Sequence, residues 1–74
     1  MKTEEDRLFL QNLGNKLRDI RNLKGWTLEE TEDHGWPSWR HLQRIETGKN
    51  VTLLTIVKLS KLYKIKLEDI FKGL

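Results

Sequence analysis

Cysteine is absent from this 74-residue chain, so disulfide frameworks, thiolate zinc sites and thiol chemistry are excluded. A thiol-free composition fits a reducing cytosol. One proline and five glycines are too few for a fibrous or low-complexity chain. Apolar runs never exceed three residues, as in Leu8-Phe9-Leu10. The sequence therefore holds neither a transmembrane helix nor the core of a signal peptide. What is present is 36% hydrophobic and 34% charged residues, the balance of a soluble chain with a small core. This length leaves room for one domain, spanning 1–74, and a chain so short buries only about 60% of its unfolded surface.

Acid is scarce in the second half. Residues 34–74 carry eight Lys/Arg against three Asp/Glu, net +5, whereas residues 1–33 carry six against eight, net −2. The whole chain is at +3. A basic half is a weak footprint of a polyanionic partner.

Strand signals are missing too, since no stretch alternates polar and apolar residues with period two for long enough. The pattern is helical throughout. Thr3 before Glu4, Glu5 and Asp6 reads as a capping hydroxyl with acids in a first helical turn. Leu10, Leu13, Leu17 and Ile20, with Phe9 beside them, form one stripe of a helix over about 4–24, with Gly25 as its stop signal. Thr27-Leu28-Glu29-Glu30 is a capping box, opening a short helix over about 28–34. Gly35-Trp36-Pro37-Ser38 ends it, because proline pushes Trp36 out of the helical region. Ser38 caps a third helix over about 39–47, closed by Gly48. A fourth helix over about 52–63 places Leu53, Ile56, Val57, Ser60 and Tyr63 on one face, with Leu59 adjoining. Ile65 leads to a fifth over about 67–72, with Leu67, Ile70 and Phe71 inward. The fold class expected is a compact all-α domain of five helices.

Helices 2 and 3, short and joined by a tight turn, have the helix-turn-helix arrangement, in which the second helix can enter a DNA major groove. Leu42 and Ile45 make the buried side of helix 3. At about 100° per residue, the opposite side holds Arg40, Gln43, Arg44 and Thr47, flanked by Trp39. This side is polar, basic and free of acid. Arginine can bind guanine bidentately and glutamine adenine. Thr47-Gly48-Lys49-Asn50 follows as a small polar loop suited to phosphate.

From Leu13 to Phe71 the sequence resembles the Cro/phage-repressor (XRE-like) helix-turn-helix family, whose fold is the lambda-repressor-like DNA-binding domain. The resemblance is carried by Leu17-Arg18-Asp19-Ile20-Arg21, Lys24-Gly25-Trp26-Thr27, Glu29-Glu30, Ser38, and above all Leu42-Gln43-Arg44-Ile45-Glu46-Thr47-Gly48. Leu53, Ile56, Lys58-Leu59, Ile65, Leu67 and Ile70-Phe71 complete it. It implies a five-helix, usually dimeric, DNA-binding regulator of transcription. By position it implies base reading by Trp39, Arg40, Gln43 and Arg44 and backbone contact by Thr27, Thr47, Lys49 and Asn50. His41 falls on the flank nearer Ile45, at the packing or phosphate edge. The resemblance also implies a structural ion pair between Arg21 and Glu46. Glu46 lies in the last turn of helix 3, where the dipole disfavours an acid, and it needs a cation.

The chain departs from the family pattern in helix 2. Leu28 stands where a glutamine is usual, Thr31 where an inward leucine is, and Glu32 where a small alanine faces helix 3. Trp36 occupies the place of the turn glycine, between Gly35 and Pro37. Helix 2 is therefore expected to end a residue early, with Trp36 folded over the contact between helices 2 and 3.

Competing chemistries find little support. His34 and His41 are seven apart across the proline turn, with no cysteine, so no metal site is expected. Glu29, Glu32 and His34 lie on one exposed helix and would be solvated at ordinary pKa values. No nucleophile–base set, phosphate loop or cofactor motif appears, so neither enzymatic activity nor a cofactor is expected. The rival reading is a protein-interaction module or antitoxin on the same fold with a Trp39-centred interface, its partner a toxin or polymerase. Trp36, Trp39, Leu54 and Leu62 offer surplus apolar surface, part of it for a homodimer seam. The reading reached is a small standalone regulator, repressor or restriction-modification-type controller. It would bind duplex DNA as a homodimer in a bacterial or phage-infected cytoplasm, at the nucleoid, without a membrane.

Overall fold

The computed structural model describes residues 3–74. Among these, all regular structure is helical: α1 Glu4–Leu23, α2 Glu30–Asp33, α3 Trp39–Glu46, α4 Leu53–Tyr63 and α5 Leu67–Phe71. α1 starts with a reciprocal box, in which Asp6 N donates to Thr3 Oγ1 at 3.1 Å and Thr3 N donates to Asp6 Oδ2 at 3.3 Å. It packs against α3 and α5. α2 packs against α3, and α4 against α5.

The core is built from Leu13, Leu17 and Ile20 of α1, Trp36 of the turn, Leu42 and Ile45 of α3, Ile56, Leu59 and Tyr63 of α4, and Ile70 of α5. Two residues assigned to inward faces by periodicity are exposed. Phe9 is exposed, and Leu53 is 64% exposed. Both line one open groove with Leu10, Leu13, Ile56 and Phe71. The inward line of α4 is instead Ile56, Leu59 and Tyr63.

Helix 2 is shorter than expected. Leu28 and Glu29 lie in a turn whose bonds reach back three residues, with Thr31 N to Leu28 O at 3.1 Å and Glu32 N to Glu29 O at 3.2 Å. The capping box sits on this turn: Glu30 N donates to Thr27 Oγ1 at 3.1 Å, and Thr27 N to Glu30 Oε1 at 3.0 Å. Thr31, in the place of an inward leucine, is fully buried, and its hydroxyl donates to Leu28 O at 2.5 Å.

Four helices end with the same pair of bonds, a Schellman motif. After α3, Gly48 N donates to Ile45 O and Lys49 N to Arg44 O, both at 3.1 Å. After α2, Gly35 N donates to Glu32 O at 3.2 Å and Trp36 N to Thr31 O at 3.0 Å. The left-handed position of the turn between α2 and α3 is thus Gly35, at φ 103°, one residue before the family's glycine. That shift lets Trp36 point inward, where it is only 6% exposed. Its indole joins the hydrophobic core. Trp36 is therefore core and cannot contribute to a dimer seam. Leu62, half-buried against the core, is largely withdrawn as well. The apolar side chains that remain exposed include Leu8, Phe9, Leu23, Leu53 and Leu54.

Candidate nucleic-acid interface

Eight residues are too few for a helix to hold in water by itself, so α3 takes its stability from its surroundings. Underneath, Leu42 and Ile45 are buried. At its amino end, Ser38 Oγ accepts from His41 N at 3.4 Å. Glu32 Oε2 accepts from Trp39 N at 2.8 Å. At its carboxyl end, α1 approaches closely: a Cβ on Gly14 would lie 2.6 Å from both Ile45 O and Glu46 O.

Glu46 turns into this contact. Arg21 Nε donates to its Oε2 at 2.8 Å and Arg21 Nη2 to its Oε1 at 3.0 Å, while Nη1 donates to Trp26 O at 2.8 Å. Both side chains are buried, at 9% and 5% exposure. The carboxylate bond holds the Arg21 guanidinium above its usual pKa, against the opposing effect of burial. Burial raises the neighbouring Tyr63 phenol, and the Glu46 charge adds to the shift. With Glu46 turned inward, the outer face of α3 carries no acid.

That outer face holds Arg40, His41, Gln43 and Arg44, all exposed, with Trp39 half-buried at its start. The Arg40 guanidinium lies 5.2 Å from the Trp39 ring centroid, a cation–π contact. Arg40, His41, Arg44, Lys49 and Asn50 line one concavity of about 670 Å³ beside α3. Four of the eight positions assigned to DNA therefore converge here, together with His41. Gln43 and Trp39 lie on the helix outside this concavity. Thr47 lies with Lys49 against the start of α1, and Thr27 is at the box before α2.

Local bonds decide what the polar loop offers. Asn50 Oδ1 accepts from Val51 N at 3.0 Å, which commits its carbonyl and leaves its amide protons as donors. Thr47 Oγ1 donates to Arg44 O at 2.9 Å, so its proton is already used within the helix. Thr27 Oγ1 accepts from Glu30 N, which leaves its hydroxyl proton as a donor. Lys49, Asn50 and Thr27 are therefore better disposed toward an anion than Thr47.

The histidines do not converge. His34 stacks on Trp26, with ring centroids 3.7 Å apart, and His41 faces Trp36 at 6.3 Å. Among the described residues, no group of three or more His, Cys, Asp or Glu is placed to hold a metal ion. In the same residues no helix is long and apolar enough to cross a membrane.

A family model described as Helix-turn-helix, of the Cro/XRE type, matches residues 17–70. The chain belongs to this helix-turn-helix family. No curated protein and no solved structure matches it. Membership makes the α2–turn–α3 unit a DNA-binding element, with α3 as its second helix. Sequence reasoning missed two residues that support α3. The Glu32 contact spans seven positions and no periodicity reports it. Gly14 carried a signal, a glycine inside an otherwise regular helical stripe.

Proposed function

We propose that this chain is a sequence-specific regulator of transcription that binds duplex DNA as a homodimer on a palindromic operator. Its action is that of a repressor or restriction-modification-type controller in the cytoplasm. The observation that carries this reading is the outer face of α3, where Arg40, Gln43 and Arg44 stand exposed without an acid, beside a loop bearing Lys49 and Asn50.

With α3 in the major groove, Arg40 and Arg44 meet guanine O6 and N7, and Gln43 meets adenine N6 and N7. Trp39 lies against a thymine methyl or sugar. Lys49 and Asn50 hold backbone phosphates, with Thr27 and Thr47 at the margin of the same strand. Two copies related by a two-fold axis read half-sites about 34–36 Å apart. The exposed Leu53 and Leu54 supply apolar surface for the dimer.

Fluorescence anisotropy of labelled DNA from upstream of the protein's own gene, at two salt concentrations and against scrambled duplex, tests the reading. Arg40→Ala and Gln43→Ala each cost about 1–3 kcal/mol and relax preference at one base pair. Lys49→Ala weakens binding evenly and lowers the log–log salt slope by about 0.9. Wild-type affinity in all three variants, with the fold intact, refutes the docking and favours a Trp39-centred protein interface.

A further inference from the structure

The amino end of α3 carries partial positive charge and amides without helical partners, and a DNA phosphate is an ordinary ligand for such an end. In this protein a carboxylate already sits there. Glu32 Oε2 accepts from Trp39 N at 2.8 Å, a shorter bond than the 3.4 Å Ser38 cap beside it.

Glu32 is distinct from its acidic neighbours. Glu30 is committed to the Thr27 box, where the Thr27 amide holds its carboxyl below the usual glutamate range. Glu46 is turned inward onto Arg21. Glu29, in the turn before α2, and Asp33, on α2, are exposed, and neither takes part in the α3 cap. Glu32 alone joins exposure to direct contact with the first residue of the helix proposed to read DNA. That residue, Trp39, also carries the Arg40 guanidinium over its ring.

We propose, on the DNA-binding reading above, that Glu32 is a specificity-determining residue. Its carboxylate occupies the amino end of α3, keeps backbone phosphate away from it, and so suppresses binding to DNA of arbitrary sequence. Phosphate electrostatics supply essentially all of non-specific affinity but only part of specific affinity. A negative charge at this point therefore penalises arbitrary DNA more than the operator. Base edges carry no net charge, and cytosine N4 can even donate to a carboxylate.

The test uses the full chain and two probes: a fluorescein-labelled mixed-sequence duplex of about two helical turns, and the sequences that the wild-type protein enriches from a random pool. Glu32→Gln keeps an acceptor for Trp39 N and removes the charge. Asp33→Asn removes the same charge from the same helix away from the cap, and Arg44→Ala weakens the outer face. Circular dichroism confirms that each variant is folded.

Glu32→Gln is expected to bind mixed-sequence duplex about fivefold more tightly at 0.15 M salt. That is the worth of one phosphate's counterion release at a slope of about 0.9, by which the log–log salt dependence also steepens. The margin of the enriched sequences over mixed sequence narrows, and Asp33→Asn moves neither quantity as far. Unchanged mixed-sequence affinity in Glu32→Gln overturns the proposal and leaves Glu32 as a helix cap only. An equal gain in Asp33→Asn overturns it as well, since net charge then suffices. In either case loss of affinity in Arg44→Ala leaves the DNA reading standing. Wild-type protein that binds no duplex at either salt refutes that reading, and the role of Glu32 with it.

Discussion

Gly14→Ala tests whether the recognition element is held in place by the close approach of α1. An alanine Cβ at this position would meet Ile45 O and Glu46 O at 2.6 Å and Glu46 C at 2.8 Å, whereas ordinary contact begins at 3.4 Å. All three atoms are backbone, so no side chain can swing aside. The carboxyl end of α3 must retreat by about 0.8 Å, the step from 2.6 to 3.4 Å. Overpacking of this kind costs typically 1–3 kcal/mol, and three rigid contacts place it at about 3. Alanine returns about 1 kcal/mol of helix propensity. The net loss is about 2 kcal/mol, against a total stability of about 4–11 kcal/mol for a chain of this size.

A thermal melt followed by circular dichroism should fall by about 8–16 °C. Amide resonances from Ile45 to Lys49 should shift, while those of α5 stay in place. A melting temperature equal to or above that of wild type refutes the reasoning. It would mean that α3 has room beside α1 and that propensity governs the site.

Other substitutions probe the same frame. Glu46→Gln or Arg21→Met leaves a buried partner uncompensated and should cost about 3–5 kcal/mol, whereas the double replacement Arg21→Met with Glu46→Leu recovers most of that in urea unfolding; equal losses in single and double variants would contradict it. Lys64 occupies the left-handed position after α4, at φ 54°, with Ile65 N bonded to Ser60 O. Lys64→Gly should therefore raise stability by about 1 kcal/mol, and a lower melting temperature would count against the motif. The Glu30 carboxyl is held low by the Thr27 amide and hydroxyl. Its contribution is present above the ordinary glutamate pKa and is lost as pH falls through the lower folded value. NMR titration of the Thr27 amide should show a midpoint below about 4.3, the ordinary glutamate value, and a midpoint at or above it refutes the box.

Much of the fold can be read from local spacing. Leu42 and Ile45, three apart, define the inner side of α3. Thr27 and Glu30 stand at box spacing and are bonded in both directions. The residues that mislead are those whose fate depends on distant elements. Phe9 and Leu53 have helical spacing but line an open groove and stay exposed. Trp36 can be read both as folded over the contact between helices 2 and 3 and as surplus apolar surface, and the left-handed residue at Gly35, which turns the indole inward, decides for the first. At the candidate interface, spacing separates the polar side of α3 from its buried side. It cannot report that Thr47 has spent its proton on Arg44 O, or that Asn50 has committed its carbonyl to Val51 N. Those bonds depend on the local backbone at Thr47 and Asn50, which spacing does not report.

The outer face of α3 is free to be wholly polar because nothing on it is needed for folding. Each support comes from below or from the ends. Leu42 and Ile45 anchor the helix, and Glu32 and Ser38 satisfy its first amides. The Schellman pair at Gly48 satisfies its last carbonyls, and the Arg21–Glu46 pair ties its last turn to α1. An arginine or a glutamine can therefore be exchanged on the outer face at little cost in stability, which is what the proposed reading of a different operator would require. The same logic explains the departures in α2. With a threonine in place of a leucine and a glycine moved by one position, the turn between α2 and α3 contributes the buried indole of Trp36 to the core. The turn is altered, yet the helix it presents remains seated on α1.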